Sequence, residues 1–220
     1  MTIGVLGGMG ALATALFFDK LIALQKVERE QDYVDVLVYN KTSIPDRTAF
    51  ITGESDRSPL PALRDAARTL REAGCGIVAM PCVTAHFFLP ELSEAATMLD
   101  MPRLVAQHVN ARGHKKVGLL ATTGTIQGQF FHRALAEYGV EVIMPVDVAQ
   151  AKLMEFIYAV KKNALADGLL LKYISRNLLS RGADAVILGC TELCTKSPGD
   201  EYIDALEILA QAALAACKGA

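Results

Sequence analysis

The sequence has no excess of either charge, no long uninterrupted apolar run and no paired set of cysteines, and each of these absences excludes a class. Lys and Arg number 22 against 24 Asp and Glu, giving a net charge of −2 and a pI near 6.1, so the basic footprint of a nucleic-acid binder is missing. The doublets Lys115-Lys116 and Lys161-Lys162 read as ordinary solvated helix ends. No run of 18 uncharged apolar residues occurs, so no membrane contact is expected. Met1 leads at once into the strand-like Ile3-Gly4-Val5-Leu6, without a basic n-region or a small-residue cleavage site, and a cytoplasmic protein is expected. Low-complexity tracts and long linkers are absent. Five cysteines, an odd number, argue for free thiols rather than a disulfide framework. Cys75 and Cys217 read as small buried hydrophobes. Cys190 and Cys194 are spaced C-x-x-x-C, but no second Cys/His cluster stands at ligand spacing, so no metal is expected.

What the chain does have is apolar bulk and internal repetition. It is 52% hydrophobic, enough for a substantial core, and 220 residues suit one large or two small domains. Ile77-Val78-Ala79-Met80-Pro81-Cys82-Val83-Thr84 and Ala185-Val186-Ile187-Leu188-Gly189-Cys190-Thr191 share one design: a β-branched apolar run, read as a buried parallel strand, ending on a cysteine with a threonine close behind. Gly74 and Gly182 each precede the cysteine by eight residues. Likewise Ile3-Gly4-Val5-Leu6 is echoed by Val117-Gly118-Leu119-Leu120. The cysteines are 108 residues apart and the echoed strands 114, which argues for a duplicated α/β unit. Ligands of open α/β sheets bind beyond the carboxyl ends of the strands, so the pattern presents two thiols to one cleft.

Along the chain, the spacing predicts strands at 3–6, 36–39 and 77–80, and helices over 11–27 and 58–73. It predicts a further helix over 87–99 broken by Pro90, a short strand at 102–105, and a boundary in the polar 110–116 segment. The second half reads as a strand at 117–120, a helix over 127–138, a strand at 140–144, helices over 149–160 and 165–180, the strand before Cys190, a turn at 197–200 and a final helix over 204–217. The glycine turn at 7–10 departs from G-x-G-x-x-G, and Asp35 precedes rather than ends the second strand, so no dinucleotide cofactor is expected.

Two thiols on opposite faces of a carbon centre supply the base and the acid that inversion needs. Both cysteines fall at strand-to-helix turns, where unpaired backbone N–H groups can stabilise a thiolate, with Thr84 and Thr191 adding hydroxyls. His86, four residues after Cys82, could activate that thiol but fits better as a residue packing the following helix. Glu192 could orient a substrate ammonium group or stand as a solvated surface glutamate. Arg47, in a polar loop after the second strand, offers a planar fork for a carboxylate, although composition alone favours local pairing with Asp46.

Gly7-Gly8-Met9-Gly10, Pro45-Asp46-Arg47-Thr48, Met80-Pro81-Cys82 with Thr84-Ala85-His86, and Gly189-Cys190-Thr191-Glu192-Leu193 together resemble the aspartate/glutamate racemase superfamily, most of all its aspartate racemase branch. The resemblance spans essentially the whole chain. It implies two pseudo-symmetric α/β/α subdomains with mainly parallel sheets, residues 1–110 and 111–203, the final helix over 204–217 docking back on the first, and the active site in the cleft between them. It implies a homodimer acting on an amino acid or other dicarboxylate without a cofactor, and Cys82 and Cys190 as the acid/base pair. Arg47 and Lys161 would hold the side-chain carboxylate, reversing the reading of Arg47 from composition. The turns at Val83, Thr84 and Ala85 and from Thr122 to Thr125 would receive the α-carboxylate, with Met9, Thr191 and Glu192 completing the pocket. Two positions depart from the family pattern: Val83, where Asn usually follows the first cysteine, and Ala11, where Pro commonly opens the helix. Two other functions stay open, a two-cysteine dicarboxylate isomerase or decarboxylase such as a maleate isomerase, and a non-catalytic dicarboxylate-binding protein.

Overall fold

A computed structural model describes residues 1–164, 168–194, 199 and 201–218. Strand β1 (Thr2–Gly7) lies between β2 (Val36–Asn40) and β3 (Cys75–Ala79), all parallel. In the second half β4 (Lys116–Ala121) lies between β5 (Glu141–Ile143) and β6 (Ala185–Gly189), with β7 (Tyr202–Asp204) beyond β6, again all parallel. The order β2-β1-β3 thus recurs as β5-β4-β6. Even the extra strand has a counterpart, since Val78 forms an isolated parallel bridge with Met98 where Val186 pairs with Tyr202.

Helices α1 (Ala11–Ala23), α2 (Arg47–Ile51), α3 (Leu60–Glu72), α4 (Leu89–Ser93) and α5 (Met101–Ala111) belong to the first half of the chain. To the second half belong α6 (Thr123–Gly128), α7 (Phe130–Ala136), α8 (Asp147–Lys161), α9 (Leu169–Ser180) and α10 (Ala205–Lys218). Strand alternation divides the core. Ile3, Val5, Ile77 and Ala79 join the larger apolar cluster, which includes α1, α5 and α10, while Leu6, Val78 and Met80 face the cluster built with α3. The echoed strand glycines have a packing reason. A Cβ on Gly4 would lie 3.3 Å from Leu70 of α3, and one on Gly118 would lie 2.9 Å from Leu178 of α9, so each permits a helix to press against its strand.

Helices α5 and α10 are equivalent and are exchanged across the repeat. Asp100 caps α5 by accepting from the Arg103 amide at 3.1 Å, and Asp204 caps α10 by accepting from Leu206 and Glu207 at 2.9 and 3.1 Å. Helix α5, from the first half, packs on α7 of the second, whereas α10 packs on α1 and on strands β1 and β3. The two helices also pack on each other.

Several expectations need correction. Residues 102–105 are helical, because the Asp100 cap and Pro102 in the first turn start α5 there. The stretch 87–99 is a 3-10 turn (Val83–Phe88), the short α4 and then an extended return that makes the Met98 bridge. The helix over 127–138 begins earlier, at Thr123, and is broken at Gln129, which adopts φ 53°. Helix α1 ends at Ala23 rather than near 27. Strand β7 had no clear pattern at three residues. Cys217 is half-buried, not buried, with its thiol donating to the Met1 carbonyl at 3.5 Å. The start of the helix expected over 165–180 and most of the turn expected at 197–200 lie outside the described residues. Among the described residues no helix is long and apolar enough to cross a membrane.

Candidate active site

Cys82 follows β3 and stands at the position before the 3-10 turn, without a side-chain cap bond; Cys190 follows β6. The two loops meet. The Thr191 hydroxyl donates to the Pro81 carbonyl at 3.2 Å, joining the residue after one cysteine to the residue before the other. A second clasp lies beside it, where the Thr84 hydroxyl is 2.9 Å from that of Thr122 and 3.1 Å from that of Thr125, which are themselves 3.0 Å apart. All three are buried. Thr122 also caps α6 through the Thr125 amide. Gly124 permits the close approach, since a Cβ there would lie 2.9 Å from the Thr48 Cα and 3.1 Å from Thr84. Cys82 and Cys190 are each only 4% exposed.

The first glycine turn also reaches the site, through Glu192. Gly8, at φ 92°, leaves no room for a Cβ, which would stand 2.3 Å from the Lys41 carbonyl carbon. The turn then presents the Met9 carbonyl to Arg47 and the Gly10 N–H to Glu192. Arg47 is 6% exposed and does not pair with Asp46, whose carboxylate instead caps α2 by accepting from Ala49. Its guanidinium donates to the carbonyls of Ile44, Pro45 and Met9 at 3.3, 2.9 and 3.1 Å, and its Nε–H has no partner among the described residues. Lys161 ends α8 half-buried rather than solvated, with Nζ 5.5 Å from the centre of the Tyr158 ring. Burial pulls its ammonium down, but Glu192, Cys190 and Cys82 together outweigh that and hold it above its ordinary value, with Arg47 opposing.

Glu192 is 2% exposed and is no surface glutamate. One oxygen accepts from the Gly10 N–H at 3.0 Å and the other from the Cys190 thiol at 3.0 Å. Burial first, then Glu192, pushes the Cys190 thiol well above its usual range. His86 is buried and bonds through Nδ1 to the Cys82 carbonyl at 3.0 Å, not to the sulfur. Burial lowers its pKa against the opposing pull of that carbonyl and of Asp100. Val83 and Ala85 are buried beside Thr84, and Val83 packs in the larger core cluster. All twelve candidate residues therefore fall at the ends of β1, β3, β4 and β6 or on α2, α6 and α8. The sequence reading missed Tyr158, although it stands one turn before Lys161 on the same helix. The Gly10–Glu192 bond, 182 residues apart in sequence, left no local signal.

A duplicated α/β scaffold with a thiol at the end of each matching strand, together with the similarities that follow, places the protein among amino-acid racemases. The chain belongs to the Asp/Glu/hydantoin racemase family, whose profile matches residues 6–213. It is 31% identical over 200 residues to the broad specificity amino-acid racemase RacX of Bacillus subtilis (strain 168), covering 87% of this chain and 85% of that protein. Among solved structures it resembles the Picrophilus torridus aspartate racemase, with 29% identity and a TM-score of 0.86 over 99% of this chain and 94% of that one. An aspartate racemase homologue from Pyrococcus horikoshii OT3 is 26% identical, with a TM-score of 0.78 over 99% of both chains.

Proposed function

We propose that the protein racemises an acidic amino acid, aspartate foremost and glutamate next, with Cys82 and Cys190 as acid and base on opposite faces of Cα. The observation that carries this is the matched placement of the two cysteines at the ends of β3 and β6, on loops fastened to each other through Thr191 and Pro81. One thiolate takes the Cα proton while the other thiol delivers a proton to the opposite face. The chemistry needs only these side chains and no pyridoxal cofactor.

Charge supports the substrate class. Arg47 and Lys161 give the site two cations, which suits a substrate that carries a second carboxylate on its side chain. Arg47 is the sharper argument. A buried guanidinium with an unpartnered Nε–H is unfavourable until an anion reaches it. Thr84, Thr122 and Thr125, whose hydroxyls bond among the described residues to one another and to the Thr125 amide, would turn them to the α-carboxylate as the cleft opens to admit substrate and recloses. Val83 replaces a side-chain amide with an apolar surface. That favours weaker or broader recognition at Cα, in keeping with the broad specificity named for the Bacillus subtilis relative. The reading includes a homodimer, supported by Leu12 and Phe18, exposed apolar residues on α1. It also includes a reducing, cytoplasmic setting, supported by five free thiols.

Incubation of the protein with L-aspartate in deuterated water tests the proposal. Deuterium should enter Cα with loss of optical activity, and Cys82→Ser and Cys190→Ser should each abolish the racemisation. A covalent adduct on one cysteine would favour the dicarboxylate isomerase instead, and saturable aspartate binding without exchange would favour the non-catalytic binding protein.

A further inference from the structure

The two thiols are matched by the fold but not by their surroundings. Cys190 donates to Glu192 at 3.0 Å, and that carboxylate is fixed on its other oxygen by the Gly10 N–H from the opposite half of the molecule. The Cys82 sulfur makes no hydrogen bond among the described residues. Position 84, two after Cys82 as Glu192 is two after Cys190, holds Thr84, whose hydroxyl is engaged by Thr122 and Thr125. A carboxylate beside a sulfur opposes its ionisation and accepts its proton in a hydrogen bond. Lys161 and Arg47 supply the countercharge for a single thiolate in the site.

We infer that Glu192 is a positioning residue that keeps the proton on Cys190 in the resting protein, so that Cys190 enters the first turnover as the acid and Cys82 as the base. This rests on the racemase reading given above. In that turnover the Cα proton passes to the Cys82 sulfur and the bonding pair stays on the substrate. The carbanion then takes the proton of the Cys190 S–H, leaving a Cys190 thiolate beside a carboxylate, which is the less favourable of the two protonation states. Loss of the proton from Cys82 to solvent and uptake of one at Cys190 restores the resting form.

Alkylation by iodoacetamide as a function of pH, read at each cysteine by peptide mass spectrometry, tests the assignment without requiring turnover. In the native protein Cys82 should react before Cys190 at neutral pH. Glu192→Gln keeps the shape and can still accept from Gly10, but it turns an N–H toward the sulfur in place of an acceptor. The midpoint of the Cys190 profile should fall by at least about one pH unit, roughly a tenfold gain in thiolate near neutrality, and by more than any change in the Cys82 profile. Glu192→Asp, too short to span both partners, should give an intermediate fall. An unmoved Cys190 midpoint in a Glu192→Gln protein that keeps its thermal transition, or a native protein in which Cys190 reacts first, overturns the inference. If the midpoint falls yet no amino acid exchanges its Cα proton, the racemase reading fails while the role of Glu192 on the thiol stands.

Discussion

Replacing Arg47 by Met separates what that side chain does for the fold from what it does for a substrate. Its guanidinium donates to three backbone carbonyls at 2.9 to 3.3 Å, and bonds from a charged donor contribute about 1.5–3 kcal/mol each. Taken alone, those bonds suggest a loss of roughly 5–9 kcal/mol. Against this stands the cost of a cation that is 6% exposed and has no carboxylate partner among the described residues, a penalty of several kcal/mol that Met removes. The opposing effects should leave Arg47→Met within about 2 kcal/mol of the native protein in chemical denaturation. The substrate has no such compensation. A side-chain carboxylate deprived of the guanidinium loses about 3–4 kcal/mol, a fall of roughly 100- to 1000-fold in kcat/KM. Steady-state racemisation of aspartate beside that of a neutral amino acid measures it. Aspartate should fall by that factor and the neutral substrate by less than about threefold. Equal losses on both substrates in a folded protein would refute the reasoning, since Arg47 would then serve the α-carboxylate or the backbone alone.

Val83→Asn should raise kcat/KM on aspartate about 5- to 100-fold by returning a hydrogen-bonding side chain to the pocket, and it should cost stability because Val83 packs in the core; unchanged kcat/KM would show that position 83 does not recognise substrate. Gly8→Ala should destabilise by more than about 2 kcal/mol in urea titration, because the added methyl meets the Lys41 backbone in a left-handed conformation. Stability should decline as pH falls below about 6.5, the unfolded histidine value. His86 is held neutral by burial with its pKa lowered, and His108 and His132 are shifted the same way, so the unfolded chain binds protons first and acid favours unfolding. Denaturation midpoints for His86→Gln between pH 5 and 7 should show a shallower decline than native, by up to about 1.4 kcal/mol per pH unit.

Much of the architecture was legible because its signals are local and repeated. The apolar strands ending in Cys82 and Cys190 carry their own pattern, and the echoed glycines mark positions where Leu70 and Leu178 press on a strand. Residues 102–105 misled because Pro102-Arg103-Leu104-Val105 has a strand-like composition, while the signal that decides it, Asp100 capping the Arg103 amide, lies two residues earlier. Arg47 was ambiguous for a different reason. Its partners are backbone carbonyls, among them that of Met9, and backbone groups leave no trace in side-chain identity. The same holds for Glu192, whose character as a buried group depends on Gly10, a residue at the other end of the chain.

The exchange of α5 and α10 bears on how the molecule can be divided. A fragment stopping at the 110–116 connection would bring α5 without α7 or α10, two of the surfaces it lies on, and would leave α1 and one face of β1 and β3 uncovered where α10 belongs. Neither piece should fold by itself at ordinary concentrations, yet the two expressed as separate chains should recover each other, each supplying the helix the other needs.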